Sequence, residues 1–268
     1  MTSVAEGSPA TGLRVAVRRH AVSPSVAVRV WIRGGLLVEP APGVGLATGR
    51  LLVEGTRSRS WDRIARRTED RGMDVTGFGS PECTGLRVDA LGSDWRSAVR
   101  LAAELVIEST FPADRCRWVR DQTLAELEGL AEQPEVVAGW AFLEQLYGTH
   151  PWGRPLQGTA ASLDALRPEA CAGFHAQSCA NGVIVSIVGD IDEDETAALA
   201  RESFAPLAAL DSRPPWPPPP ESAAERLREV ELPPGEQAQV LAGHLTVPVN
   251  HPDFLALEVA SVFLGSGP

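Results

Sequence analysis

Every second position in Leu13–Arg18 is apolar, and Val recurs at the same interval through Ser25–Ile32, with Arg among the residues between. This two-residue period predicts strands with one buried face. The short segment His20–Pro24 between them predicts a hairpin. Gly43–Val53 then places Val44, Ala47, Leu51 and Leu52 at helical intervals. Ser60 is positioned as an N-cap for a helix over Trp61–Arg71, with Gly72 as its C-cap. Asp74–Phe78 and Thr84–Leu91 return to strand composition. Their joint, GSPE, holds Pro81, which has no amide to give to a ladder, so an edge position is expected.

Helical spacing dominates the middle of the chain, over Ser93–Ser109, Ala113–Glu132 and Glu135–Tyr147. A turn-rich stretch, GTHPWGRPLQGT, precedes a further helix at Pro168–Ser178. The run GVIVSIV at Gly182–Val188 is continuously apolar, which predicts a strand buried on both faces. Glu193–Phe204 is a closing helix. Residues 211–220, DSRPPWPPPP, cannot form a packed element and read as a stiff spacer. The expected organisation is a domain over 1–210, a Pro-rich linker at 211–224 and the start of a second, similar domain at 225–268. In that last part, strand-like Arg228–Leu232 and Gln239–Val247 lead to a helix at Pro252–Leu264, repeating the strand, strand, helix order of the N-terminus.

The chain has 268 residues and a net charge of −11, which argues against nucleic acid as a partner. Its 24 basic residues are all Arg, the mark of a GC-rich genome more than of a function. MTSVAEGSPATGL lacks the basic and apolar regions of a signal peptide, and no apolar run reaches the roughly 20 residues that span a bilayer. A cytoplasmic protein that does not engage a membrane is expected. Cys83, Cys116, Cys171 and Cys179 form no C-x-x-C pair and read as free core thiols. Cys171, His175 and Cys179 share one helical face, but the outer two lie about 12 Å apart along a straight helix and do not converge on one ion.

Five stretches carry a family resemblance: WIRGGLLVEPAPGVGLA…GT, LAAELVIESTFPADRCRWVRDQTLAEL, LYGTHPWGRPLQGTAASLDAL, FHAQSCANGVIVSIVGDID and HPDFLALEVASVFLG. In this order they resemble the pitrilysin/insulinase family of zinc metallopeptidases, in the branch of mitochondrial processing peptidase and its two-subunit bacterial relatives. The resemblance implies an α+β fold of the LuxS/processing-peptidase-like type. That fold is a mixed or antiparallel sheet flanked by helices, here one full domain plus the start of a second.

Chemistry in that family rests on H-x-x-E-H. Two histidines one helical turn apart bind zinc, and the glutamate takes a proton from the bound water. Aligned on Gly43 and Gly55-Thr56, the corresponding positions are Leu46, Gly49 and Arg50. Leu has no donor, Gly no base, and Arg carries a fixed positive charge. Glu126 matches the family's remaining acidic ligand, and it is expected either to remain as a leftover carboxylate or to pair with an arginine such as Arg50. No catalytic residue, metal ligand or bound zinc is therefore expected. Rebuilding the motif as Leu46→His, Gly49→Glu and Arg50→His is expected to restore zinc binding.

In active members the substrate is thought to add as a strand to a sheet edge. The matching edge is Val75, Thr76, Gly77 and Phe78, with Gly77 and Gly79 clearing room for an incoming backbone. Gly45 and Gly49, at i and i+4, leave a groove on their helix that serves either packing alone or contacts filling the former metal site. The function expected is that of a non-catalytic homologue, the partner subunit of an active zinc-bearing peptidase in a peptide-binding chamber. The alternatives are a self-associating, stand-alone peptide- or protein-binding scaffold, and a truncated copy of a metalloendopeptidase.

Overall fold

The computed structural model describes residues 12–207, 216–218, 227–231 and 238–265. β1 (Leu13–Arg19), β2 (Ser25–Arg33), β3 (Asp74–Gly79), β4 (Cys83–Leu91) and β5 (Val183–Gly189) form one mixed sheet in the order β1-β5-β2-β4-β3. β5 runs parallel to β1 and antiparallel to β2. The hairpin expected of β1 and β2 is thus not formed, because β5 lies between them and pairs Val185 with both Val15 and Val30. Alternation reports which face of a strand is buried but not which strand is its neighbour. The turn after β1 is instead tied to the end of β5, where the His20 amide donates to the Gly189 carbonyl at 2.7 Å.

The inward side chains of Val15, Val28, Val30, Leu86, Val88, Val185 and Ile187 are at most 2% exposed. α1 (Val44–Leu51), α3 (Trp95–Ile107), α7 (Pro168–Ala180) and α8 (Glu193–Ser203) pack against the sheet. Burying each such aliphatic stabilises the fold by roughly 1.5–3 kcal/mol. On the other face Trp31, Ile184 and Val188 remain 38–44% exposed. β5 therefore alternates and is not buried on both faces as its composition predicts. An apolar run gives the same sequence signal whether one face or both are covered.

β3 is the terminal strand, as Pro81 in the β3–β4 turn predicts. α2 (Trp61–Glu69) lies beside it. α2 begins at Ser60 without a side-chain cap; the Ser60 hydroxyl bonds to Asp62 instead. α4 (Ala113–Ala131) and α5 (Pro134–Tyr147) follow α3. The short α6 (Ala160–Asp164) has a capping box of Thr159 and Ser162 that the sequence reading passes over.

Most of the expected linker lies outside the described residues; within it, Trp216 stacks on the Arg33 guanidinium at 4.1 Å. The described parts of Arg228–Leu232 and Gln239–Val247 are not strands. A strand needs a hydrogen-bonding neighbour, and these segments run by α5 instead. Arg228 pairs with Glu144 at 2.8 Å, and a Cβ at Gly243 would stand 2.9 Å from the Phe142 ring. α9 (Phe254–Gly265) matches the expected last helix. Among the described residues no helix is long and apolar enough to cross a membrane.

Candidate functional site

Gly43 opens α1 with φ +86°, a left-handed conformation suited to glycine, and a Cβ there would stand 2.5 Å from the Gln157 carbonyl oxygen. Gly43 offers no side chain to cap the helix. Glu39 does so instead, its carboxylate accepting from the amides of Gly43 at 3.2 Å and Gly45 at 2.8 Å. These are orphan donors of a first helical turn. Burial raises the Glu39 carboxyl to about 7, against the opposing pull of those amides and of Arg154. Sequence reasoning missed Glu39, although a carboxylate four residues ahead of a glycine helix start is a readable signal.

α1 meets β3 backbone to backbone. A Cβ at Gly49 would lie 1.9 Å from the Phe78 carbonyl oxygen, one at Gly77 would lie 2.0 Å from that of Gly49, and one at Gly79 2.5 Å from the Leu46 Cα. Gly77 and Gly79 therefore clear room for α1, where the sequence reading assigned that room to an incoming strand. Leu46 is 6% exposed, and Gly49 is buried. The groove at Gly45 and Gly49 is filled by the chain itself, with the Gly35 backbone against Gly45 and β3 against Gly49.

Val75–Phe78 stand in the terminal strand, paired with Val88–Gly85 of β4. The Ser80 amide donates to the Cys83 carbonyl at 2.8 Å. Bonded and non-bonded pairs alternate in an antiparallel ladder, so Thr76 and Phe78 bond toward β4 while the Val75 and Gly77 backbones face away from it. The Phe78 ring stacks edge-on to Trp31 at 5.1 Å, on the face away from α1.

Arg50, in the last turn of α1, reaches α4. It donates to the Thr123 hydroxyl at 2.8 Å and to Glu126 Oε2 at 2.5 Å. Thr123 and Glu126, three apart, share a helical face. Gln157 donates to the other Glu126 oxygen at 2.8 Å, and the Thr123 hydroxyl donates to the Val119 carbonyl at 2.8 Å. Burial acts to raise the Glu126 carboxyl, but the bonds from Gln157 and Arg50 and the Arg50 charge outweigh it and hold it below the usual range. Thr123 and Gln157 carried no local signal, since their role depends on the tertiary approach of three segments.

This donor set does not fit zinc. Leu46 and Gly49 bring no ligand atom, Arg50 brings a fixed cation, and both oxygens of Glu126 are engaged. Among the described residues no three His, Cys, Asp or Glu side chains converge. His175 Nε2 donates to the Val106 carbonyl at 2.7 Å, and burial holds this imidazole below its usual pKa. Cys179 stands 3.6 Å from it, whereas Cys171 faces Cys116. His150 accepts from the Trp152 amide at 3.3 Å.

Residues 14–160 match the model of the insulinase family, peptidase family M16, and residues 180–268 match that of the peptidase M16 inactive domain. An uncharacterized zinc protease of Mycobacterium leprae is 33% identical over 196 residues, covering 72% of this chain and 44% of that protein. Subunit 1 of the mitochondrial cytochrome b-c1 complex of Bos taurus is 26% identical over 266 residues, 95% of this chain and 54% of its own length. Among solved structures, the peptidase M16 inactive domain from Pseudomonas fluorescens superposes with a TM-score of 0.74 at 27% identity, covering 82% of this chain and 55% of that one. The chain thus spans about half the length of the relatives it matches. It belongs to the insulinase family, peptidase family M16.

Proposed function

We propose that this chain is a non-catalytic member of the insulinase family, acting as the partner of a zinc-bearing homologous subunit and forming part of the wall of a peptide-binding chamber. One observation carries the reading: the Arg50 guanidinium is bonded to Thr123 and Glu126 where the family resemblance implies zinc. A cation tethered to α1 neutralises the carboxylate that would otherwise seek a metal, and it activates no water. Two comparisons support the reading. The last third of the chain, residues 180–268, matches a family domain described as inactive, and the bovine relative is by name a subunit of a larger complex.

The residues left at the site provide affinity without hydrolysis. The outward backbone groups of Val75 and Gly77 offer a peptide main-chain hydrogen bonds at the sheet edge. Close packing of α1 on β3 holds that edge rigid, which lowers the entropic cost of binding.

Affinity purification of the tagged chain from its native source, followed by peptidase assays on the chain alone and on the recovered complex, tests the proposal. A homologue bearing H-x-x-E-H should co-purify, with hydrolysis confined to the complex. Zinc-dependent hydrolysis by the chain alone would overturn the non-catalytic reading. Recovery of the chain without any homologue would favour a stand-alone scaffold.

A further inference from the structure

One end of the sheet carries charge of both signs, segregated. β1, β5 and β4 finish there at Arg19, Gly189 and Leu91, and β2 and β3 begin there at Ser25 and Asp74. α1 meets β3 at the opposite end, by Phe78 and Gly79, so this face is separate from Arg50 and Glu126.

Above β1 and β5, the turn into α8 presents Asp190, Asp192 and Asp194 as exposed carboxylates around a hollow of about 850 Å³, with exposed Glu195 next along α8. Arg19 and Arg96 meet Asp190 and Glu195, which leaves negative charge in excess. Beside β3, Arg63, Arg66, Arg67 and Arg71 surround a second hollow of about 590 Å³, in which Asp70 is the one carboxylate. Arg71 is fixed by Asp94 at 2.6 Å and Ser97 at 3.1 Å. Among the described residues no carboxylate forms an ion pair with Arg63, Arg66 or Arg67. Burial, with the like charges of Arg59 and Arg71, pulls Arg67 below the usual guanidinium range, a sign of uncompensated crowding. Guanidiniums three and four apart on one helix repel. A chain of net charge −11 has nevertheless kept them together at this edge.

β5 and β3 are three strand spacings, roughly 14 Å, apart, and the start of α3 links the two patches: Asp94 and Ser97 hold Arg71, while Arg96 meets Glu195. Between them is the 3-10 turn Gly92–Asp94. A half-turn about an axis through that region carries each patch onto the other. We propose that this face is a self-complementary docking surface for a second copy of the chain. In it the α2 arginines of one copy meet the Asp190–Glu195 turn of the other, and the reverse, as a two-fold contact requires. Opposed charges of this kind set register and steer encounter. Each exposed pair is weak and screened by salt, so the association depends on concentration and ionic strength.

Sedimentation velocity on the full chain tests this, using two charge-reversed variants whose altered residues are all exposed: Arg63→Glu with Arg66→Glu, and Asp190→Arg with Asp194→Arg. Circular dichroism checks that both retain the fold. The parent should dimerise at low salt and dissociate at high salt. Each variant alone should associate at least about tenfold more weakly. Mixing the two should restore a dimer, because every contact again joins opposite charges. A parent that stays monomeric at high micromolar concentration and low salt would overturn the proposal. So would a dimer unchanged in either variant, as when apolar α9 drives association, or a failure of the mixture to recover. Arg50 and Glu126 are untouched, so this outcome is independent of the functional proposal.

Discussion

A Cβ at Gly49 would stand 1.9 Å from the Phe78 carbonyl oxygen, whereas one at Gly129 in α4 meets nothing within 4 Å. The same substitution should therefore act with opposite sign at the two sites. Gly49→Ala forces α1 and β3 apart and should cost about 2–3 kcal/mol, an overpacking penalty. Gly129→Ala should stabilise by about 0.5–1 kcal/mol through helix propensity. Urea midpoints of the two variants check both values. The clash also changes the expectation for the rebuilt motif, since a glutamate at 49 has no room until β3 moves. Glu39 gives a second prediction at this scale. Its carboxyl is raised from an ordinary 4.5 to about 7, so the folded chain takes up a proton more readily than the unfolded one. The stability it contributes is full below the unfolded pKa and is lost as pH rises through about 7. The parent should lose up to about 3 kcal/mol between pH 4.5 and 8 that Glu39→Gln does not lose. Parallel stability–pH curves would contradict this. The positions Leu46, Gly49, Arg50 and Glu126 were legible in the sequence because a motif on one helix has fixed spacing and leaves a countable frame even when its residues change. Glu39, Thr123 and Gln157 were less so, because their importance comes from which amide or carboxylate the fold brings to them.

At the scale of elements, β5 is the strand whose role the sequence obscured. Its composition identifies it as a strand, but its place between β1 and β2 depends on long-range pairing that no local pattern encodes. Once placed, it has ladder partners on both edges, while β3 has one. Native-state amide exchange should therefore find Val185 and Ile187 among the slowest amides, opening only with the whole domain, and the outward amides of Val75 and Gly77 among the fastest in the sheet. Equal protection in β3 and β5 would show that β3 has a partner on its outer edge. The helices were easier to read, since 3.6-residue spacing is local and Pro134, Pro168 and Gly148 punctuate them. The segments 228–231 and 239–247 show the opposite case. Alternation alone predicts strands there, and without a neighbouring strand they pass α5 with no regular secondary structure.

For the molecule as a whole, the chain has the fold of its family, and Arg50 on α1 is bonded to Thr123 and Glu126 on α4. The sheet is mixed and flanked by helices, as the five matching stretches predicted, while the bonds around Arg50 run between a guanidinium, a hydroxyl, a carboxamide and a carboxylate. The central claim is that Arg50 holds Glu126 in the role a metal would otherwise fill. Zinc stoichiometry measures this most directly, by elemental analysis of the chain after exposure to excess zinc and removal of the unbound ion. The account predicts far less than one zinc per chain, unchanged in Glu126→Gln. One equivalent of zinc that disappears in Glu126→Gln would contradict it.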